Sequence, residues 1–166
     1  MPLPPLLHNH PQRIAGEVER LVDDLEERYE RVAIGYADCG TYGALDSVCS
    51  RLGLQRLEGL HCYDVYGGAD RVATMFEADP GTYVLTDFLV RSFERTVIAE
   101  LGLDRHPELR DDYFRHYSRA VWLAQQPDDP DLRARAEAAA EKLGLPLTVV
   151  PTGDGRLEEA LADLVG

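Results

Sequence analysis

Cys39 closes a short apolar run in Asp38-Cys39-Gly40-Thr41, and His61 and Cys62 follow a short expected strand in Gly59-Leu60-His61-Cys62-Tyr63. A cysteine is a nucleophile and a soft-metal donor only as its thiolate. Cys39 stands beside glycine just ahead of an expected helix start, where the helix dipole and free N–H groups would favour that thiolate. The competing reading is a small residue packed where strand meets helix. His61 and Cys62 are adjacent, so an extended segment would send them to opposite sides, with Cys62 the one facing a shared crevice. A Cys39–Cys62 pair suits a metal ion, zinc or iron, or an iron–sulfur cluster. Two cysteines are too few for either, so His61, Asp87 or a histidine of the N-terminal segment would have to complete the site. His8 is that candidate, since His8 and His10 would project to one side of an extended chain; surface decoration is its plainer reading. Asp87 and His61 are the acid/base candidates. Gly40, Thr41 and Tyr63 are candidates for binding a cofactor beside them. The spacing matches no compact motif such as Cys-x-x-Cys.

Other residues attract less chemistry. Cys49 shares a stripe with Leu45, Val48 and Leu52, which is core spacing. Thr152-Gly153-Asp154-Gly155 precedes a helix, but it has no Walker lysine, and Asp154 would repel a phosphate. Tyr113, Phe114 and Tyr117 recur at helical spacing and are explained by packing. No Gly-x-Ser-x-Gly run supports serine hydrolase chemistry.

The elements that would position these residues follow from periodicity. Residues 12–30 predict a helix with Ile14, Val18, Leu21, Val22, Leu25 and Tyr29 on one face. Residues 31–37 predict a strand, Thr41 an N-cap, and Gly53 the end of the helix that follows. A short strand over 55–58 leads to His61 and Cys62. A helix over 69–78, a strand over 82–86 ending on Asp87, and an amphipathic helix through Leu89, Phe93, Val97 and Leu101 come next. Residues 106–119 predict a more polar helix, and 120–124 a strand ending at Gln125 and Gln126. A helix burying Leu132, Ala136, Ala139, Ala140 and Leu143, a strand over 147–150 and a last helix with Leu157, Leu161 and Leu164 inward complete the chain.

Strands alternating with helices predict a three-layer, Rossmann-like α/β domain over residues 1–166, with residues 1–11 a proline-rich segment. Its sheet is expected to be mainly parallel, with four or five strands. The pattern opens on a helix, so the expectation includes a first strand lying upstream or supplied otherwise. In such sheets ligands bind at the carboxyl ends of the strands, where Cys39, Cys62 and Asp87 all fall.

Composition narrows the classes. The chain has 166 residues, 45% hydrophobic and 28% charged, with a net charge of -13 and a single lysine, Lys142. That charge argues against nucleic acid, which draws its affinity from clustered Lys and Arg. No run approaches the roughly 18 apolar residues of a membrane span, and the N-terminus reads poorly as a signal peptide. Three cysteines are not a disulfide framework. The expectation is a cytoplasmic protein with reduced thiols and a small-molecule ligand.

Residues 6–11, Asp38-Cys39-Gly40-Thr41, His61-Cys62-Tyr63, residues 80–89, residues 101–109 and the run from Tyr113-Phe114 to Gln125 together resemble the prokaryotic family called domain of unknown function 1638. The blocks cover nearly the whole chain in order. Members of that family often occur in genomic company with corrinoid-dependent methyl-transfer systems, so the resemblance implies one-carbon or metal-cofactor metabolism. Longer members carry a further strand upstream, ending in an Ala-Cys-Gly-like turn, which implies a three-cysteine site that this sequence lacks. A homo-oligomer or a partner protein would then fill the gap. Three functions compete: a metal- or iron–sulfur-dependent enzyme acting on a small molecule, a non-catalytic metal- or corrinoid-binding accessory, and a metal-free thiol enzyme using Cys39.

Overall fold

The computed structural model describes residues 1, 3, 4, 7 and 9–166, without the side chain of Glu26. His8 lies outside the described residues. The fold is α/β with five parallel strands, arranged as a pair, β1–β2, and a triplet in the order β3–β4–β5. Contacts divide the chain into two compact units, one of residues 1–65 with 156–166 and one of residues 66–155. Among the described residues no helix is long and apolar enough to cross a membrane.

The first unit is built on α1 (Ile14–Glu26) and α2 (Ala44–Leu52) packed over a minimal sheet. Ile14, Val18 and Val22 recur every four residues and are fully buried, meeting Leu45, Val48 and Cys49 of α2. Such a stripe is what drives an amphipathic helix onto its partner. α1 stops at Glu26, short of the expected residue 30, and Tyr29 beyond it is exposed rather than inward. Strand β1 (Ala33–Ile34) pairs with β2 (Gln55–Arg56), each only two residues long. Gly43, at φ +83, precedes α2 in place of the expected Thr41, and Gly53, at φ +66, closes the helix as expected. A six-residue helix, α3 (Cys62–Gly67), starts where only a strand-end loop was expected and runs just past the first unit.

The second unit is three-layered around β3 (Thr82–Thr86), β4 (Arg119–Ala124) and β5 (Leu147–Pro151). Alternate residues of β4 face opposite ways. Ala120, Trp122 and Ala124 enter the core made with α5 (Asp87–Phe93) and α7 (Pro130–Leu143). Val121 and Leu123 are equally buried but outside that cluster, and Leu123 approaches Gly67 and Val72 of α4 (Ala69–Ala78) on the opposite face. A Cβ on Gly67 would come within 2.9 Å of Val72, so glycine permits this close layer. All five predicted apolar positions of α7 are buried. Asp129 caps it through the N–H groups of Asp131 and Leu132, as an N-cap aspartate should.

Two helices differ from the periodic reading. The stretch after α5 continues as a π-helix over Glu94–Ala99, keeping Val97 buried. The helix expected over 106–119 is a 3-10 turn, Pro107–Leu109, followed by the short α6 (Arg110–Phe114). β4 claims Arg119, because Arg119 pairs with Thr82 in the ladder. The last helix, α8 (Gly155–Val165), buries Leu164, whereas Leu161 is exposed.

Candidate functional site

The pairing of β1 with β2 resumes beyond both short strands, and this brings the two candidate cysteines together. Leu57 N–H donates to the carbonyl of Ile34 at 3.0 Å, Asp38 N–H to that of Gly59 at 3.1 Å and Cys39 N–H to that of Leu60 at 2.8 Å. Arg56 reinforces the loop, donating to the carbonyl of Leu57 at 2.6 Å and to the carboxylate of Asp46 on α2. Cys62 then follows Leu60 by two residues, at the start of α3.

The turn carrying Cys39 is tightly specified. Cys39 and Tyr42 have φ values of +48° and +52°, and Gly40 and Gly43 values of +84° and +83°. Left-handed backbone is uncommon for residues other than glycine. The turn winds around the buried carboxylate of Asp38, which accepts from the Thr41 hydroxyl and from the N–H groups of Tyr42 and Gly43 at 3.2 and 3.1 Å. Burial pushes the pKa of Asp38 up, but those donors and Arg56 outweigh it and hold the group below its usual value. Thr41 is buried, with its hydroxyl committed to Asp38. Gly40 packs against Pro11.

On the facing segment, Asp64 accepts from Leu60 N–H at 2.9 Å and His61 N–H at 3.0 Å. This reach back from the third helical residue fixes the start of α3. His61 and Cys62 are therefore not on an extended segment. His61 precedes the helix and stacks on Tyr63, with centroids 4.7 Å apart and 26° between planes.

The Cys39–Leu60 bond sets Cys39 beside the start of α3, close enough to Cys62 for each thiol to influence the ionisation of the other. Interaction with the Cys62 thiol is the main influence lowering the pKa of Cys39, against burial and the nearby carboxylates of Asp38 and Asp64. Cys62 is driven the other way, first by Cys39, then by burial and the charge beside it. Of the pair, Cys39 is the more readily ionised. The lowering influence belongs to Cys62 and not to α2, which begins only at Ala44. Tyr36 lies within electrostatic reach of both thiols, and burial with their charge pushes its hydroxyl up to about 12. Tyr36 and Asp64 were not among the sequence candidates; Asp64, three residues after His61, carried a capping signal.

Cys49 is buried in the α1–α2 core, and burial raises its thiol pKa. Asp87 belongs to the second unit and is buried at the β3 end. It accepts from the Trp122 indole N–H at 2.9 Å and from the Gln125 and Gln126 N–H groups at 3.1 and 3.0 Å. Gln125 Oε1 accepts the Asp87 N–H in return, and its Nε2 is buried with no partner among the described residues.

Residues 2–161 match the family described as Protein of unknown function (DUF1638). The chain belongs to this family. No curated protein and no solved structure gives a significant match. Membership fits the ordered blocks along the chain, which include both cysteine-bearing loops. Among the described residues, no group of three or more His, Cys, Asp and Glu side chains is arranged to hold a metal ion. Structural zinc takes four protein ligands and catalytic zinc three, and an iron–sulfur cluster takes about four cysteines. The described residues offer the Cys39–Cys62 pair and do not complete such a set.

Proposed function

We propose that this chain is a thiol-dependent enzyme acting on a small electrophilic molecule, with Cys39 as the reacting thiolate. The observation that supports this reading is the backbone bond from Cys39 to Leu60, which sets Cys39 beside Cys62, whose influence lowers the Cys39 pKa. A lowered pKa raises the thiolate fraction, and the thiolate is the nucleophile. Tyr36 adds a neutral hydroxyl nearby, because its raised pKa keeps it protonated.

The experiment is alkylation of the native protein with iodoacetamide across pH, read by peptide mass. Cys39 is expected to react roughly tenfold faster than Cys49 at neutral pH, with a midpoint below that of an ordinary cysteine and no response to chelator. A Cys39 midpoint at or above the ordinary value would end this reading.

The placing of two cysteines on cross-tied segments favours a second reading, a soft-metal or corrinoid-linked site in which Cys39 and Cys62 are two ligands of zinc or iron. The rest of the set would come from His61, His8 or a partner chain. Metal content of anaerobically purified protein tests it: Cys39→Ser and Cys62→Ser should each remove most bound metal, and Cys49→Ala none. Protein free of metal in every preparation, with its thiol reactivity intact, would retire this second reading.

A further inference from the structure

We infer that Cys39 and Cys62 form a dithiol–disulfide couple whose substrate class is a low-molecular-weight disulfide, Cys39 attacking it and Cys62 closing onto Cys39. The inference rests on the reading of Cys39 as the reacting thiolate and adds a substrate class and a role for Cys62. Its basis is placement. The two cysteines sit on separate segments, 38–43 and 59–64, cross-tied by the Asp38–Gly59 and Cys39–Leu60 hydrogen bonds, so that Cys39 lies beside the residue two before Cys62. Both cysteines are only partly buried, so an incoming disulfide can reach the pair, whereas Cys49 is enclosed in the core.

The chemistry balances in two exchanges. The Cys39 thiolate attacks one sulfur of R–S–S–R, forming a Cys39–S–S–R bond and expelling RS⁻. Cys62 then attacks the Cys39 sulfur, the Cys39–Cys62 bond forms and the second RS⁻ leaves, taking up the proton that Cys62 gives up. The protein is oxidised by two electrons and the small disulfide is reduced to two thiols. The order follows from the reading of Cys39 as the reacting thiolate, which leaves Cys62, on the cross-tied segment, as the thiol beside it.

Glutathione disulfide is the probe, added without oxygen to the reduced full chain, with released thiol counted and peptides mapped. Wild type should release both halves of the probe and carry a Cys39–Cys62 disulfide, with Cys49 still a free thiol. Cys62→Ser should release one half and retain the other on Cys39, and Cys39→Ser should release neither. Cys62→Ala serves if the serine variant folds poorly, and the wild-type map needs no variant. Glutathione retained on Cys39 of the wild type overturns the couple but leaves Cys39 as the reactive thiolate. An unreactive Cys39 in every protein overturns both. A disulfide engaging Cys49, or bridging two chains, also overturns the couple.

Discussion

Asp38 shapes the turn that presents Cys39, and its protonation state decides whether that turn holds. Its pKa is depressed in the folded chain, because burial is outweighed by the Thr41 hydroxyl, two backbone N–H groups and Arg56. A depressed folded value means that its stabilisation is complete above the unfolded aspartate value, about 3.9, and is lost as pH falls below that through the folded value. Asp38→Asn is expected to cost about 1–3 kcal/mol at neutral pH, since an amide sets one acceptor and an unwanted donor against three donors. It should also flatten the acid side of the stability profile, measured by urea unfolding at neutral pH and near pH 3. The same variant removes a negative charge that raises the Cys39 pKa, so the alkylation midpoint of Cys39 should move down. An unchanged acid slope would show that Asp38 carries no such linkage. That the segments carrying Cys39 and Cys62 lie side by side was legible in the sequence, because the ends of neighbouring parallel strands share one edge whatever their loops do. What lowers the Cys39 pKa was not, because it depends on where α3 starts, and six residues are too few to show a helical period.

At the scale of elements, Asp87 joins the start of α5 to the end of β4. Its oxygens receive the Trp122 indole and two consecutive backbone N–H groups. Asp87→Ala would strand those buried donors and is expected to cost about 2–3 kcal/mol, seen as an earlier guanidinium midpoint. The chain has a single tryptophan, so the near-UV circular dichroism band of Trp122 should change with it. Full stability of Asp87→Ala would show that these bonds carry no such load. The second unit was the more legible one, since β3, β4 and α7 combine apolar runs with firm stops. The 3-10 turn and α6 were not, because the ladder bond of Arg119 to Thr82 and the tether of Ser118 to Asp79 are long-range contacts that end a helix its own pattern would continue. In the same corner, a Cβ on Gly81 would lie 2.9 Å from the His116 carbonyl, a constraint that no local periodicity records. In the first unit, residues 31–37 carry a strand's composition, yet only Ala33–Ile34 find ladder partners, because β2 offers two residues to pair with.

Over the whole molecule, the chain leaves its first unit near Val65 and returns to it with residues 156–166. α8 therefore belongs to the same unit as α1, although about 130 residues separate them along the chain, and ordering it closes a long loop at a cost that grows only slowly with length. Leu164 is the buried residue of α8, and it lines, with Val32, Leu52 and Leu54, a cavity of about 550 Å³ beside the start of the β1–β2 pair. Arg31 reaches the carbonyl of Gly166 at 3.4 Å. The ion pairs on this surface, such as Arg51 with Glu19 and Arg56 with Asp46, leave at least one partner largely exposed. Pairs of that kind contribute about 0–1 kcal/mol each, and neither of these involves α8. Leu164→Ala is expected to cost about 2 kcal/mol, at the low end for a buried leucine because the site already borders a cavity. Amide hydrogen exchange followed by peptide mass locates that loss. Protection should fall in α8, in β1 and β2 and in the Leu52–Leu54 turn, while β3, β4 and β5 keep theirs, because local openings follow cooperative units. Protection lost first from the β3–β4–β5 triplet would place α8 with the second unit and reverse this assignment.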